Sequence, residues 1–189
     1  FQTKSIMLAS EVPGILVAMP ALKDTYFEKS VILLCSYDAE GAFGLVMNHP
    51  STTKVKEVLS EELQGNAVFD IPLLVGGPVQ PESFWAVHSA DFSVEETTIL
   101  SPKINLSSAQ DILSPLATGQ AVESYQFGSG YAGWGAGQLD REIQEESWWL
   151  GPLDETLLLE LDYKLRWDTT MENLGFDLLT TTFSQTGMV

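Results

Sequence analysis

The 189 residues carry nine Lys and Arg against 26 Asp and Glu, a formal net charge of -17, with 44% hydrophobic and 19% charged side chains. A chain of this length buries about 70% of its unfolded surface without a disulfide or metal staple, and the composition is globular, not disordered. The charge argues against a nucleic-acid or anionic-membrane surface: such a surface needs roughly 6–10 Lys or Arg on one face, and the tightest basic groupings here are Lys54 with Lys56 and Lys164 with Arg166.

The acidity serves solubility and also suits a basic protein partner. Cys35 is the only cysteine, which excludes an intramolecular disulfide and a Cys-rich metal site. It lies in the apolar run Val31–Cys35 and reads as a small buried hydrophobe. No run of 18 apolar residues occurs, so no membrane span is expected. Phe1-Gln2-Thr3-Lys4 is not a signal peptide, and these features together predict the cytoplasm.

Gly14 to Met19 is expected to form a strand between Pro13 and Pro20. Ser30 to Ser36 is apolar on both faces, hence a central strand. Ala42 to Met47 follows through a hairpin turn at Asp38-Ala39-Glu40-Gly41. The spacing of Val55, Val58, Leu59 and Leu63 predicts a helix over 53–63. Strands are expected at 71–75, 83–87, 97–100 and 122–127. A helix capped by Ser107 or Ser108 is expected to run to Gly119, disturbed by Pro115. Further on, a glycine-rich bend is expected, then a helix over 138–146, a short apolar element at 157–161, and a last helix from Asp162 to Gly175. In Trp148-Trp149, one ring is expected in the core and one at the surface. Strands joined by short hairpins, with helices between and after them, read as α+β in a single domain over 1–189.

Five of the 15 glycines fall between 128 and 137. Gly128, Gly130 and Gly133 match G-x-G-x-x-G, with Asp154 near the spacing of a ribose-binding acid, but no βαβ unit surrounds them. They are read as a bend packing Tyr131 and Trp134 onto the core. His49 and His88 lack metal-ligand spacing, no local pattern supports a Ser–His–Asp triad, and no cofactor is expected. The helix over 138–146 is read as a solvated acidic face, or else as a docking surface for a basic partner.

Five strings, Pro13–Pro20, Phe27–Val31, Gly41–Asn48, Gly76–Val79 and Gly130–Leu139, together resemble the bacterial AlgH/YqgE family, over about 13–175. The resemblance implies a compact α+β fold with a substantial, mostly antiparallel sheet. It implies no catalytic residue, and some members carry a transcriptional-regulator label from genetic association. Two departures remove a positive charge: His49 stands in Asn48-His49-Pro50 where the family usually has Arg, and Ser83-Phe84 stand near a usual Arg-Gly pair. The leading expectation is a non-enzymatic cytoplasmic protein that works by binding another protein, a basic one being what the acidity would suit, and that takes part in any regulation without direct DNA binding. The first alternative is a small-ligand binder or unrecognised enzyme, with a site at Asn48, His49, Gly76, Gly77, Pro78, Tyr131, Gly133, Trp134 and Gln138. The second is a transcriptional regulator that contacts DNA directly.

Overall fold

In the computed structural model, which describes residues 12–23, 25–58, 67–120 and 122–176, the apolar run after Ser30 forms strand β2 (Val31–Asp38). It lies between β1 (Gly14–Ala18) and β3 (Gly41–Val46), antiparallel to both. Its residues alternate between two cores. Ile32 and Leu34 join Leu16, Trp134 and Trp148 on one face. Val31 and Leu33 join Ile15, Leu45 and Trp85 on the other. Burial on both faces explains why the sequence shows no polar alternation there. Asp38 pairs with Gly41 across the expected hairpin, and the Asp38 carboxylate accepts the Glu40 N–H at 2.8 Å.

Burial pushes the Cys35 thiol up to about 12. Contrary to the expectation of a buried residue, Cys35 is only partly buried against the second core, with Sγ 3.5 Å from the Leu33 carbonyl.

The remaining strands are β4 (Pro50–Lys54), β5 (Pro72–Val75), β6 (Val79–Ser89), β7 (Thr98–Ile99), β8 (Ile104–Ser108), β9 (Tyr125–Gly135) and β10 (Trp148–Gly151). All belong to one ten-stranded sheet, ordered β10-β1-β2-β3-β9-β6-β8-β7, with β5 joined to β9 and β4 to β5. Every described pairing is antiparallel except β5 with β9. The helices are α1 (Ala109–Ala117), α2 (Gln138–Gln144), α3 (Glu155–Leu159) and α4 (Arg166–Asn173). Ile112 and Leu116 of α1 cover Ala86 and Phe127. Leu139 of α2 enters the core with Trp134 and Trp148, and Leu157 and Leu158 of α3 enter the opposite one. This is the α+β architecture expected.

Several local expectations are refined or corrected. Thr53 and Lys54 end β4, and Val55–Val58 is a short 3-10 turn, not the first turn of a helix; residues 59–66 lie outside the described residues. The alternation of β4 and the bond from Ser51 Oγ to the Leu73 carbonyl at 2.7 Å favour pairing with β5 over a helix start. Ser107 lies within β8, and Ser108 occupies the N-cap position of α1 without a side-chain cap bond. Trp148–Gly151 is a strand that pairs with β1. Asp154 is the N-cap of α3, accepting the Leu157 N–H at 3.1 Å, so it serves the helix start rather than a ribose. Trp148 is buried while Trp149 is 48% exposed, as the Trp pair suggested.

A further correction concerns the glycine-rich segment. It is no bend: β9 runs through it for 11 residues. Its first half pairs with β5 and its second half with β3 along one edge, while β6 holds the other. Gly128, Gly130 and Gly133 are therefore strand residues, and no phosphate-cradling turn exists at them.

Candidate functional site

The sequence-derived candidates separate into two groups. Asn48, His49, Gly76, Gly77 and Tyr131 are brought together where β3, β5 and β9 meet. The Asn48 carboxamide accepts the Val31 N–H and donates to the Lys29 carbonyl, both at 2.8 Å. The Val75 N–H donates to the His49 carbonyl at 2.7 Å, and the Val46 N–H to the Gly76 carbonyl at 2.8 Å. His49 is half-buried, with Nε2 3.4 Å from Ser30 Oγ. Gly77 packs against the Tyr131 backbone, with Pro78 exposed beside it. Tyr131 stacks edge-on with Phe43 at 5.3 Å.

Trp134 and Gln138 lie apart from this meeting point. Gly133 pairs with Phe43 and Trp134 with Ala42 at the far end of β9, and the Trp134 ring turns to the opposite core from Tyr131. The Gln138 carboxamide accepts the Gly135 N–H at 3.0 Å and donates to Glu142 at 2.8 Å. Glu142 also accepts the indole N–H groups of Trp134 at 3.2 Å and Trp148 at 3.0 Å. Tyr37 donates its hydroxyl to Asp140. The acidic face of α2 is therefore thinner than its sequence suggests, because Asp140 and Glu142 are engaged in the fold.

His88 forms a contact that no local spacing announced. It is wholly buried on β6, with Nδ1 2.9 Å from the Ser89 carbonyl and Nε2 2.9 Å from Ser107 Oγ. Thr97 Oγ1 lies 2.9 Å beyond Ser107. An Nδ1–H donated to the carbonyl leaves Nε2 to accept from Ser107, the hydrogen-bond pattern of a base and a nucleophile. Both side chains are enclosed, and Phe92 packs edge-on to the imidazole at 6.0 Å. Nearby, Asn105 donates to the Phe92 carbonyl at 3.0 Å while its buried Oδ1 has no partner.

Burial holds the His88 pKa below its ordinary value, against the opposing pull of the Ser89 carbonyl and Asp91. The unfolded chain therefore takes up a proton more readily, so the stability supplied by neutral His88 is complete above about pH 6.5 and is lost as the pH falls below it. Urea midpoints of wild type and His88→Asn, compared at pH 7.5 and 5.5, are expected to converge at the lower pH. The gap should narrow by no more than about 1.4 kcal/mol per pH unit. A gap of constant size would contradict the assignment of a neutral buried imidazole.

Two concavities lined by charged side chains lie elsewhere. A cleft of about 430 Å³ is lined by residues of 123–127 at the start of β9 and 159–163 after α3, with Arg166. A second, of about 390 Å³, shares Glu123, Ser124, Leu159 and Glu160 with the first, making one groove. Its acids are Asp91, Glu123, Glu155, Glu160 and Asp162, and its cations are Lys103 and Arg166. Asp91 is held below the usual carboxylate range; partial burial opposes this, but the Ser89 hydroxyl and the Glu123 N–H outweigh it. Among the described residues no cluster of three or more His, Cys, Asp or Glu could hold a metal ion. No helix among them is long and apolar enough to cross a membrane.

A ten-stranded, chiefly antiparallel sheet with helices on both faces and an acidic surface groove defines an α+β protein. Residues 15–179 match the family model described as AlgH-like, and the chain belongs to that family. It is 37% identical over 169 residues to a UPF0301 protein of Shewanella woodyi, covering 87% of this chain and 91% of the relative. It is 35% identical over 166 residues to one of Methylococcus capsulatus, covering 86% and 88%. The solution structure of the AlgH protein from Pseudomonas aeruginosa superposes with a TM-score of 0.73 at 34% identity, over 89% of this chain and 91% of that one. A crystal structure from Corynebacterium diphtheriae, at 22% identity and TM-score 0.67 over 85% of each chain, shares the fold.

Proposed function

We propose that this protein acts without chemistry of its own, by holding a basic segment of a partner protein in the groove between the start of β9 and α3. The observation that carries this reading is the groove's lining: five carboxylates from three stretches of chain, Asp91, Glu123 and the run of α3 with its following turn (Glu155, Glu160, Asp162), against one exposed lysine and one buried arginine. Acids gathered on a concave surface raise the local concentration of cations and steer their approach. The same field repels a nucleic-acid backbone, so any regulatory role would run through protein contact.

A fluorescent lysine-rich octapeptide, amidated at its C-terminus, is expected to bind at low salt and weaken as salt rises. The double variant Glu123→Lys, Glu160→Lys should weaken it at least about tenfold. Reversing Glu145 and Glu146, at and just past the end of α2, should have little effect. No binding at low salt, or greater sensitivity to the α2 changes, would refute the groove.

A second reading places a small ligand at Asn48, His49, Gly76, Gly77 and Tyr131, with Pro78 beside them. It is favoured by the convergence of these residues at one meeting of strands. Native mass spectrometry of gently purified protein tests it: a non-covalent adduct supports it, and a bare chain mass removes it.

A further inference from the structure

Arg166 is the first residue of α4 and one of only two arginines in the chain. It is 2% exposed. Burying a guanidinium is unfavourable unless it is paired, and buried arginines ordinarily meet a carboxylate or phosphate. Arg166 meets neither among the described residues. Nε donates to the Leu161 carbonyl at 3.0 Å, Nη1 to the Met47 carbonyl, and Nη2 to Gln126 Oε1 at 3.2 Å. All three acceptors are neutral. Each of the three nitrogens thus has one acceptor, and of the five N–H groups of a guanidinium two have none among the described residues.

The setting gives those two groups a use. Arg166 lines the larger cleft, together with Gln126 and Tyr163. Burial pulls its pKa down to about 10, with Asp162 opposing, so it remains a cation at neutral pH. The charges around it are acidic: Glu123, Glu160 and Asp162 line the same cleft. A dianion such as a phosphate monoester would meet these acids. A single carboxylate on an otherwise cationic molecule would satisfy both the arginine and the acids.

We propose that the cleft takes the C-terminal residue of a basic peptide, its terminal carboxylate paired with Arg166 and its cationic side chains facing Glu123, Glu160 and Asp162. The proposal rests on the groove reading above and narrows it from any basic segment to a basic chain end. The planar guanidinium suits a carboxylate because two of its N–H groups can meet two oxygens side by side.

The test compares two lysine-rich octapeptides of one sequence, one with a free C-terminal carboxylate and one amidated, both titrated into wild-type protein. The free acid is expected to bind at least about tenfold more tightly, although it carries less positive charge. With only two arginines in the chain, the Arg166 Nε–H resonance can be followed by NMR, and it should shift with the acid peptide and not with the amide. Arg166→Lys should abolish the preference while retaining amide binding. Because that variant removes bonds to Met47 and Leu161, the wild-type comparison stands without it. Equal binding of the two peptides, or tighter binding of the amide, would overturn the terminal-carboxylate inference and leave the groove intact. Failure of both to bind would overturn both.

Discussion

Gly77→Ala is expected to yield no folded protein. A Cβ at Gly77 would stand 2.1 Å from the Tyr131 carbonyl carbon, 2.2 Å from its oxygen and 2.4 Å from the Ala132 nitrogen. All three are backbone atoms of β9, in the stretch where that strand passes from β5 to β3. They cannot rotate aside as a side chain could, and the positive φ of Gly77, 154°, adds backbone strain. The loss should exceed about 4 kcal/mol, a large part of the roughly 5–15 kcal/mol that holds a domain together. Gly133→Ala is the matched control, because its Cβ would meet only the Tyr131 ring edge at an ordinary 3.5 Å. It should shift stability by less than about 1 kcal/mol. Far-UV circular dichroism and a urea titration of both variants decide the matter. A wild-type midpoint for Gly77→Ala would mean that the turn after β5 does not press on β9 as described.

Removing the Glu142 carboxylate should have the next largest effect. Trp134 and Trp148 stack edge-on at 5.8 Å, and both give their indole N–H to Glu142. Glu142→Ala leaves two buried donors without acceptors, at about 1–3 kcal/mol each, and frees Gln138 from its bond to the same carboxylate. We expect a loss of about 3 kcal/mol in urea unfolding, with altered near-ultraviolet circular dichroism from the two indoles. Glu142→Gln should lose less, because its carbonyl can still accept while its amide group faces the Gln138 donor. A loss below about 0.5 kcal/mol for Glu142→Ala would show that the indoles find other partners.

These two sites mark what the sequence made legible and what it did not. The two-faced burial of β2, the hairpin at Asp38, the start of α2 at Gln138 and the division of labour between Trp148 and Trp149 follow from local pattern. The course of β9 does not. Glycine ordinarily weakens a strand, so a dense run of it reads as a bend. Its value here comes from distant partners: a Cβ at Gly128 would stand 2.2 Å from the Trp85 ring, and the Trp85 indole donates to the Gly130 carbonyl at 2.8 Å. The groove was hidden for a related reason. Its acids at 91, 123, 155, 160 and 162 form no motif along the chain and converge only when α3 packs beside the start of β9. Along the sequence Arg166 stood out only as one half of a basic grouping with Lys164. The signal that could have placed it inside is its position four and five residues before Thr170 and Met171, on the buried face of α4.

The shared position of β9 also bears on how the chain is made. During synthesis β3 emerges long before the strand that completes it: Gly41 pairs with Gly135, about 90 residues later. At roughly 5–20 residues per second the ribosome takes several seconds to cover that distance. Until then β3 has an open edge, and β1 waits longer still for Leu150 and Gly151 of β10. The nascent chain thus presents apolar strands with unpaired backbone through most of its translation, the condition in which chains associate wrongly. Completion of the sheet is tied to the strands at Tyr125–Gly135 and Trp148–Gly151, so a truncated product ending before Tyr125 would keep those open edges and be a substrate for chaperones and proteases.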